Sequence, residues 1–239
     1  MNSSHEQSWF TTQLKKSADP IRAVNEKRYL KSPFSHYGVR VPVLRKLAKT
    51  WLRNHKNLSF SDLLSFTEKL WAGDYHEERM LAIFLLVYRV DELTFHDLLR
   101  IEHMVKTAIG WAELDMIAAW LCGQLYYDNT PKMTSVMKRW IKDENFWVQR
   151  AALLTLLGPV RKDPKHFPLF VELSVPLLSE KEFFIRKAIG WVLRELAKIN
   201  PQLVYAYVSK YKAQMSGLTY REATRKLPPK LQRELSLVH

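Results

Sequence analysis

Two side chains four residues apart, Trp111 and Asp115, are the first candidates for chemistry in this chain of 239 residues. On a helix that spacing sets an indole and a carboxylate on one face, one turn apart. Both groups favour a cation, the carboxylate through its charge and the indole through the negative face of its ring. A second tryptophan, Trp191, has Lys187 four residues before it and Arg194 three residues after it, which puts an aromatic ring between two cations on one helical stripe. The tetrapeptide Ala-Ile-Gly-Trp leads into both rings, at Ala108–Trp111 and at Ala188–Trp191. Its glycine removes a side chain beside each ring, where a bulky partner could approach. The competing reading makes both tryptophans core residues and Asp115 a favourable charge near a helix dipole.

Other catalytic signatures are missing. There is no GxGxxG or GxxxxGK[ST] phosphate loop, no HExxH and no paired Cys or Cys/His spacing suited to zinc. The histidines are scattered, with His96 and His103 sharing a helical face at most, and they read as structural or solvated. Cys122 lies in the apolar run IAAWLCGQL and reads as core. Neither a cofactor nor a metal is expected.

Thirty-seven Lys and Arg against 24 Asp and Glu leave a net charge of +13. That excess implies an acidic partner, most simply a nucleic-acid backbone, bound without regard to sequence and weakened by salt. Arg45, Lys49 and Arg53 follow one another at four-residue steps, about 40° apart around a helix, and form a basic stripe. Taken singly such a stripe is also what an ordinary solvated face looks like. The apolar runs, such as Ala82–Tyr88, fall far short of the roughly 20 residues of a membrane span, and the first residues show no secretory signal. With one cysteine and hence no internal disulfide, a reduced cytoplasmic setting is expected.

The elements that must position these groups read as helices. Apolar residues recur at helical spacing, for example Leu114, Ile117, Ala118 and Leu121, and no strand-like alternation persists. Prolines at 20, 33, 42, 131, 164, 168, 176 and 201 punctuate the periodic stretches, and Asn200-Pro201 reads as a cap followed by a first helical residue. NFWVQRAALL from Asn145 and EFFIRKAIGW from Glu182 align without a gap, and YHEERMLAIFLL from Tyr75 is a weaker copy. Repeated helical units predict an all-α stack of antiparallel helix pairs of the HEAT or armadillo type, with a concave basic groove, in a single domain over residues 1–239. A compact helical bundle is the alternative.

The segments ENFWVQRAALL (144–154) and KEFFIRKAIGWVLRELAKINP (181–201) resemble the DNA alkylation-repair glycosylases of the AlkD type. The similarity runs from NEKRYLKSPFSHYGVRVPVLRKL (25–47) to LTYREATRKL (218–227). The resemblance implies an all-helical HEAT-like fold and a monofunctional base-excision repair enzyme that hydrolyses the N-glycosidic bond of cationic N3- or N7-alkylated purines. It implies a catalytic cluster of Asp115, Trp111 and Trp191 with Arg150 and Tyr29 beside it, and Lys187, Arg194, Arg45 and Lys49 are then the expected further contacts to duplex DNA. Charge on the lesion, rather than a pocket for the base, would drive selectivity. A monomer is expected, cytoplasmic and associated with the nucleoid in a prokaryote. The chain departs from the family pattern at Gly110, Ala112, Glu113 and Leu114, where a second aromatic and further acidic residues are usual. The alternative is therefore a non-catalytic HEAT-like protein that binds bent or branched DNA.

Overall fold

A computed structural model describes residues 3–237, which among themselves form helices and no strand. A lone bridge joins Ser35 to Tyr75. The chain divides into two compact units, Met1–Ile117 and Ala118–His239. The first contains α1 (Ser3–Lys16), α2 (Pro20–Leu30), α3 (Val41–Asn54), α4 (Phe60–Trp71), α5 (His76–Val87), α6 (Leu98–Thr107) and α7 (Trp111–Met116). A π-helical turn, Ile117–Cys122, follows α7. The second unit contains α8 (Gly123–Asp128), α9 (Thr130–Trp140), α10 (Phe146–Thr155), α11 (Leu157–Lys162), α12 (Phe167–Ser174), α13 (Phe183–Ala197), α14 (Pro201–Tyr211), α15 (Gly217–Thr224) and α16 (Pro229–Leu237). No described helix is long and apolar enough to cross a membrane.

The helix starts follow the local chemistry of the sequence. The Asn200 side chain accepts from the Leu203 amide at 3.2 Å and Pro201 opens α14, as the Asn-Pro pair predicts. Asp19-Pro20 starts α2 in the same way, with the Arg22 amide 3.0 Å from the Asp19 carboxylate. Asn145 caps α10 and Glu182 caps α13, each accepting from the amide two residues on, so the aligned segments start their helices at the same position. The alignment is therefore a structural repeat: Trp147 of one copy packs on Phe184 of the other, ring centroids 4.7 Å apart.

The first unit is built around α5, which packs against α3 and α4 and also meets α1 and α7. Met80 to Leu86 are all buried, as expected for a helix that is apolar all round. Its first turn is also buried, although it reads His76, Glu77, Glu78, Arg79. Four ionisable side chains in an interior need partners, and each has one. Glu77 accepts the backbone N–H groups of Tyr37, Gly38 and Val39 at 3.0, 2.6 and 3.0 Å. Glu78 takes the Thr11 hydroxyl, and Arg79 and His76 turn to Glu113. Gly38 is required at its position: φ is +77°, and a Cβ would stand 2.1 Å from the carbonyl oxygen of Asp19.

The second unit is centred on α13, which packs on α10, α11, α14 and α15. Here the structure corrects the meaning of the repeated Ala-Ile-Gly-Trp. The first copy ends α6 and starts α7, with Gly110 as an extended N-cap that has open space around it. The second copy lies in the middle of α13, and Gly190 admits the protein's own α15: a Cβ there would meet Glu222 Cβ at 2.4 Å and the Thr219 carbonyl oxygen at 3.2 Å. The two glycines have different causes, and only Gly110 leaves room for a partner from outside.

Candidate active site and nucleic-acid interface

Trp111 and Asp115 are both on α7, a short helix that cannot fix its own orientation, and the residue between them does so. Glu113 is buried and accepts two hydrogen bonds from the Arg79 guanidinium, Nε to Oε1 and Nη2 to Oε2, both at 2.9 Å. His76 Nδ1 stands 3.4 Å from Oε1. Arg79 also donates to the carbonyls of Trp71 at 2.8 Å and Thr107 at 2.9 Å, with its guanidinium carbon 3.5 Å from the centre of the Trp71 ring. Burial pushes the Glu113 carboxyl up, but hydrogen bonds and charge from His76 and Arg79 outweigh it and hold the group below the usual glutamate range. Successive helical positions are about 100° apart, so residues two before and two after Glu113 point away from it. The inward anchor of Glu113, with buried Leu114, therefore turns Trp111 and Asp115 to the other face, where both are half-buried.

Tyr29 meets this face. It is 72% exposed on α2, and its ring stands edge-on to the Trp111 indole with centroids 6.0 Å apart. Beside them a small void lined by Leu30, Phe34, His76, Gly110 and Glu113 has a volume of about 20 Å³, room for one water and not for a purine. Arg45 and Lys49 are exposed along α3, as their spacing predicts, and each rests on an aromatic ring of α5 or its end, Arg45 5.4 Å from Phe84 and Lys49 5.0 Å from Tyr88. In both cases the charged head itself, the Arg45 guanidinium carbon or the Lys49 ammonium nitrogen, lies over the ring face.

In the second unit Trp191 is half-buried on α13. Lys187 and Arg194 flank it one turn either way, and both are engaged: Lys187 Nζ donates to Glu222 Oε1 at 2.8 Å, and Arg194 donates to Glu222 Oε2. These cations, with the hydrogen bond from Lys187 foremost, hold the Glu222 carboxyl below its usual range. Arg150 is buried, only 4% exposed, and donates from Nη1 to the Phe184 carbonyl in the first turn of α13. That turn stands two helical turns before Trp191 on the same side. Cys122 is buried, as its apolar surroundings predict.

Sequence reasoning does not place Glu113, Arg79, His76 or Glu222 at the site. Glu222 sits in a segment with no periodic signal of its own, and HEER at the start of α5 has the form of a solvated first turn. The one available signal is Glu113 itself, an acid where the apolar stripe of Leu114 and Ile117 begins.

The two units present indoles, one half-buried aspartate and several cations on an all-helical scaffold, and that scaffold has known counterparts. The "Predicted DNA alkylation repair enzyme from Enterococcus faecalis" superposes with a TM-score of 0.78 at 24% identity, over 89% of this chain and 98% of that one. AlkD2 from Streptococcus mutans gives 0.59 at 20% identity over 77% and 88%. The protein smu.31 from Streptococcus mutans UA159 gives 0.60 at 19% identity over 90% and 100%. These likenesses speak to the fold. No curated protein matches the sequence. The sequence pattern of the family described as DNA alkylation repair enzyme, however, matches residues 10–227, from α1 to the end of the α15 segment, and so takes in every candidate residue above. The chain belongs to the DNA alkylation repair enzyme family.

Proposed function

We propose that the protein is a monofunctional DNA glycosylase that releases cationic N3- and N7-alkylated purines from duplex DNA. The observation that carries this reading is the outward pair Trp111 and Asp115, held by the buried Glu113 and completed by Tyr29. An alkylated purine already bears a positive charge, so when the bond from C1′ to the base nitrogen breaks, the electron pair neutralises the base and no general acid is needed. The charge passes to the sugar, which becomes oxocarbenium-like. Asp115 stabilises that cation and orients the water that adds to C1′ and gives up its proton. The Trp111 face contributes roughly 0.5 to 2 kcal/mol to the same cation, and Trp191 is the second indole assigned to it.

Tyr29, Arg45 and Lys49 on the first unit, and Lys187 and Arg194 on the second, are proposed to grip the sugar-phosphate backbone. Arg150, committed to the first turn of α13, is proposed as a positioning residue for Trp191 and Lys187. In this reading the lesion is selected by its charge and not by fit to a pocket. The test is to incubate the protein with methylated duplex DNA and to measure free 7-methylguanine, 3-methyladenine and abasic sites. Release of alkylated bases with no release of uracil is expected. Tight binding of bent or branched duplexes with no released base would instead make this a non-catalytic DNA-binding member of the family.

Glu222 gives a second handle on the grip of the backbone. It occupies the place between Lys187 and Arg194 that a phosphate would take, so Glu222→Gln should free both cations. Affinity for duplex DNA is expected to rise severalfold, and the slope of log K against log salt to steepen by about 0.9 for each further phosphate neutralised. Filter binding across a salt series reads both quantities. An unchanged slope would remove Lys187 and Arg194 from the interface.

A further inference from the structure

The loop between α2 and α3 carries His36, and around it stand Glu26 of α2 and Glu77 of α5. We propose that Glu26, His36 and Glu77 form a binding site for one divalent transition-metal cation, which fastens α2 to the core of the first unit. One ligand atom from each of the three residues lies within 4.8 Å of the other two. Ligands of a tetrahedral zinc ion, at about 2.1 Å from the metal, are about 3.4 Å apart, so a modest closure of side chains completes the site.

His36 is the residue that calls for a ligand. Both of its ring nitrogens are shielded from solvent and neither meets a hydrogen-bond partner. Buried polar atoms are almost always partnered, and leaving one unmet costs its full desolvation. A cation on one nitrogen would use the lone pair of the imidazole, and the His76 ring, stacked with its centroid 4.8 Å away, holds the His36 ring in place.

The two carboxylates are oriented before any ion arrives. Glu77 is held by the three backbone N–H groups of the 37–39 turn, the kind of outer support that fixes metal ligands in place. Glu26 is held at Oε1 by Arg22 Nη2 at 2.9 Å, so a cation shares Glu26 with that guanidinium. An imidazole beside two carboxylates suits zinc, manganese, iron or cobalt. Magnesium and calcium prefer oxygen ligands throughout.

The structural consequence falls on α2. This helix buries none of its residues and leaves Ile21, Val24 and Tyr29 exposed. At its start the Asp19 amide donates to the Tyr37 carbonyl at 2.9 Å and Gly38 allows close approach, and at its end the Tyr29 ring meets Trp111. A cation at Glu26 adds a further fastening one turn before Tyr29. Its importance for Tyr29 rests on the DNA-binding role proposed for that residue, whereas the metal site itself does not.

The test is titration of the full, chelator-treated chain with Zn²⁺ alone, followed by calorimetry. One saturable equivalent is expected, no binding of Mg²⁺ at the same concentrations, and a visible absorption band when Co²⁺ is used instead. His36→Phe and Glu26→Gln should each weaken Zn²⁺ binding about 100-fold, while His103→Ala leaves it unchanged. Glu26 lies on a helix without buried residues, so its variant keeps the test open if His36→Phe disturbs folding. Absence of saturable Zn²⁺ binding, or binding indifferent to both substitutions, overturns the proposal. Because the measurement reads metal uptake and not base release, its failure and that of the glycosylase reading are separable.

Discussion

Asp115→Asn is expected to lower release of 7-methylguanine from methylated duplex DNA by roughly 100-fold or more, the scale set by removing one preorganised electrostatic group from a transition state. The substitution keeps the size and planarity of the side chain and removes its charge, so it separates electrostatics from packing. Binding should respond differently. The DNA backbone is itself anionic, and losing a negative charge beside it leaves affinity unchanged or slightly higher. Single-turnover release at saturating enzyme, paired with a binding titration of the same variant, reads the two effects independently. Release at the wild-type rate would remove Asp115 from the mechanism. A parallel fall in release and affinity would make it a binding residue instead.

The contrast between α7 and α13 shows what a sequence can and cannot convey. Helix boundaries are legible because Asn145, Asn200, Asp19 and the adjoining prolines act within a few residues of themselves. The repeat that starts at Asn145 and Glu182 is legible because both copies run, without a gap, through two aromatics, a β-branched residue, a basic residue and Ala, and the structure starts both helices at the same position. The spacing of Trp111 and Asp115 is legible as a shared face, but which way the face turns is not. That depends on Glu113 reaching Arg79, a partner 34 residues away. The Gly-Trp echo misleads for the same reason: a glycine before a tryptophan has no meaning until α15 is seen against Gly190 while Gly110 stays open. Lys187 and Arg194 form a cationic stripe in sequence, yet the structure pairs both with Glu222. Charge counting sees side chains and not their long-range partners.

Arg79→Met is expected to cost the first unit about 3–5 kcal/mol, the usual penalty for stripping one member from a buried ion pair. Met preserves most of the apolar stem, so the loss isolates the guanidinium, which pairs with Glu113 and lies over Trp71 and Phe34. It leaves Glu113 charged in an interior with His76 as its main partner, and frees the Trp71 and Thr107 carbonyls of their donor. Adding Glu113→Leu should recover most of the deficit, because the stranded charge and not the missing attraction accounts for much of it. Urea unfolding of the wild type, both single variants and the double variant measures the coupling. Single losses below about 1 kcal/mol would show that the pair is not a working anchor.

The same pair fixes the sign of an acid effect. The folded Glu113 carboxyl holds its proton less tightly than the unfolded one near 4.5. Between the two values the unfolded chain binds more protons, so stability rises with pH there. The contribution is present above pH 4.5 and is lost as pH falls below it. In Arg79→Met the guanidinium that helps depress the Glu113 carboxyl is gone, and this acid dependence should weaken. Loss of the anchor also releases the rotation of α7. The double variant, Arg79→Met with Glu113→Leu, folds without the ion pair and should therefore release alkylated bases more slowly than the wild type even though Trp111 and Asp115 are both intact.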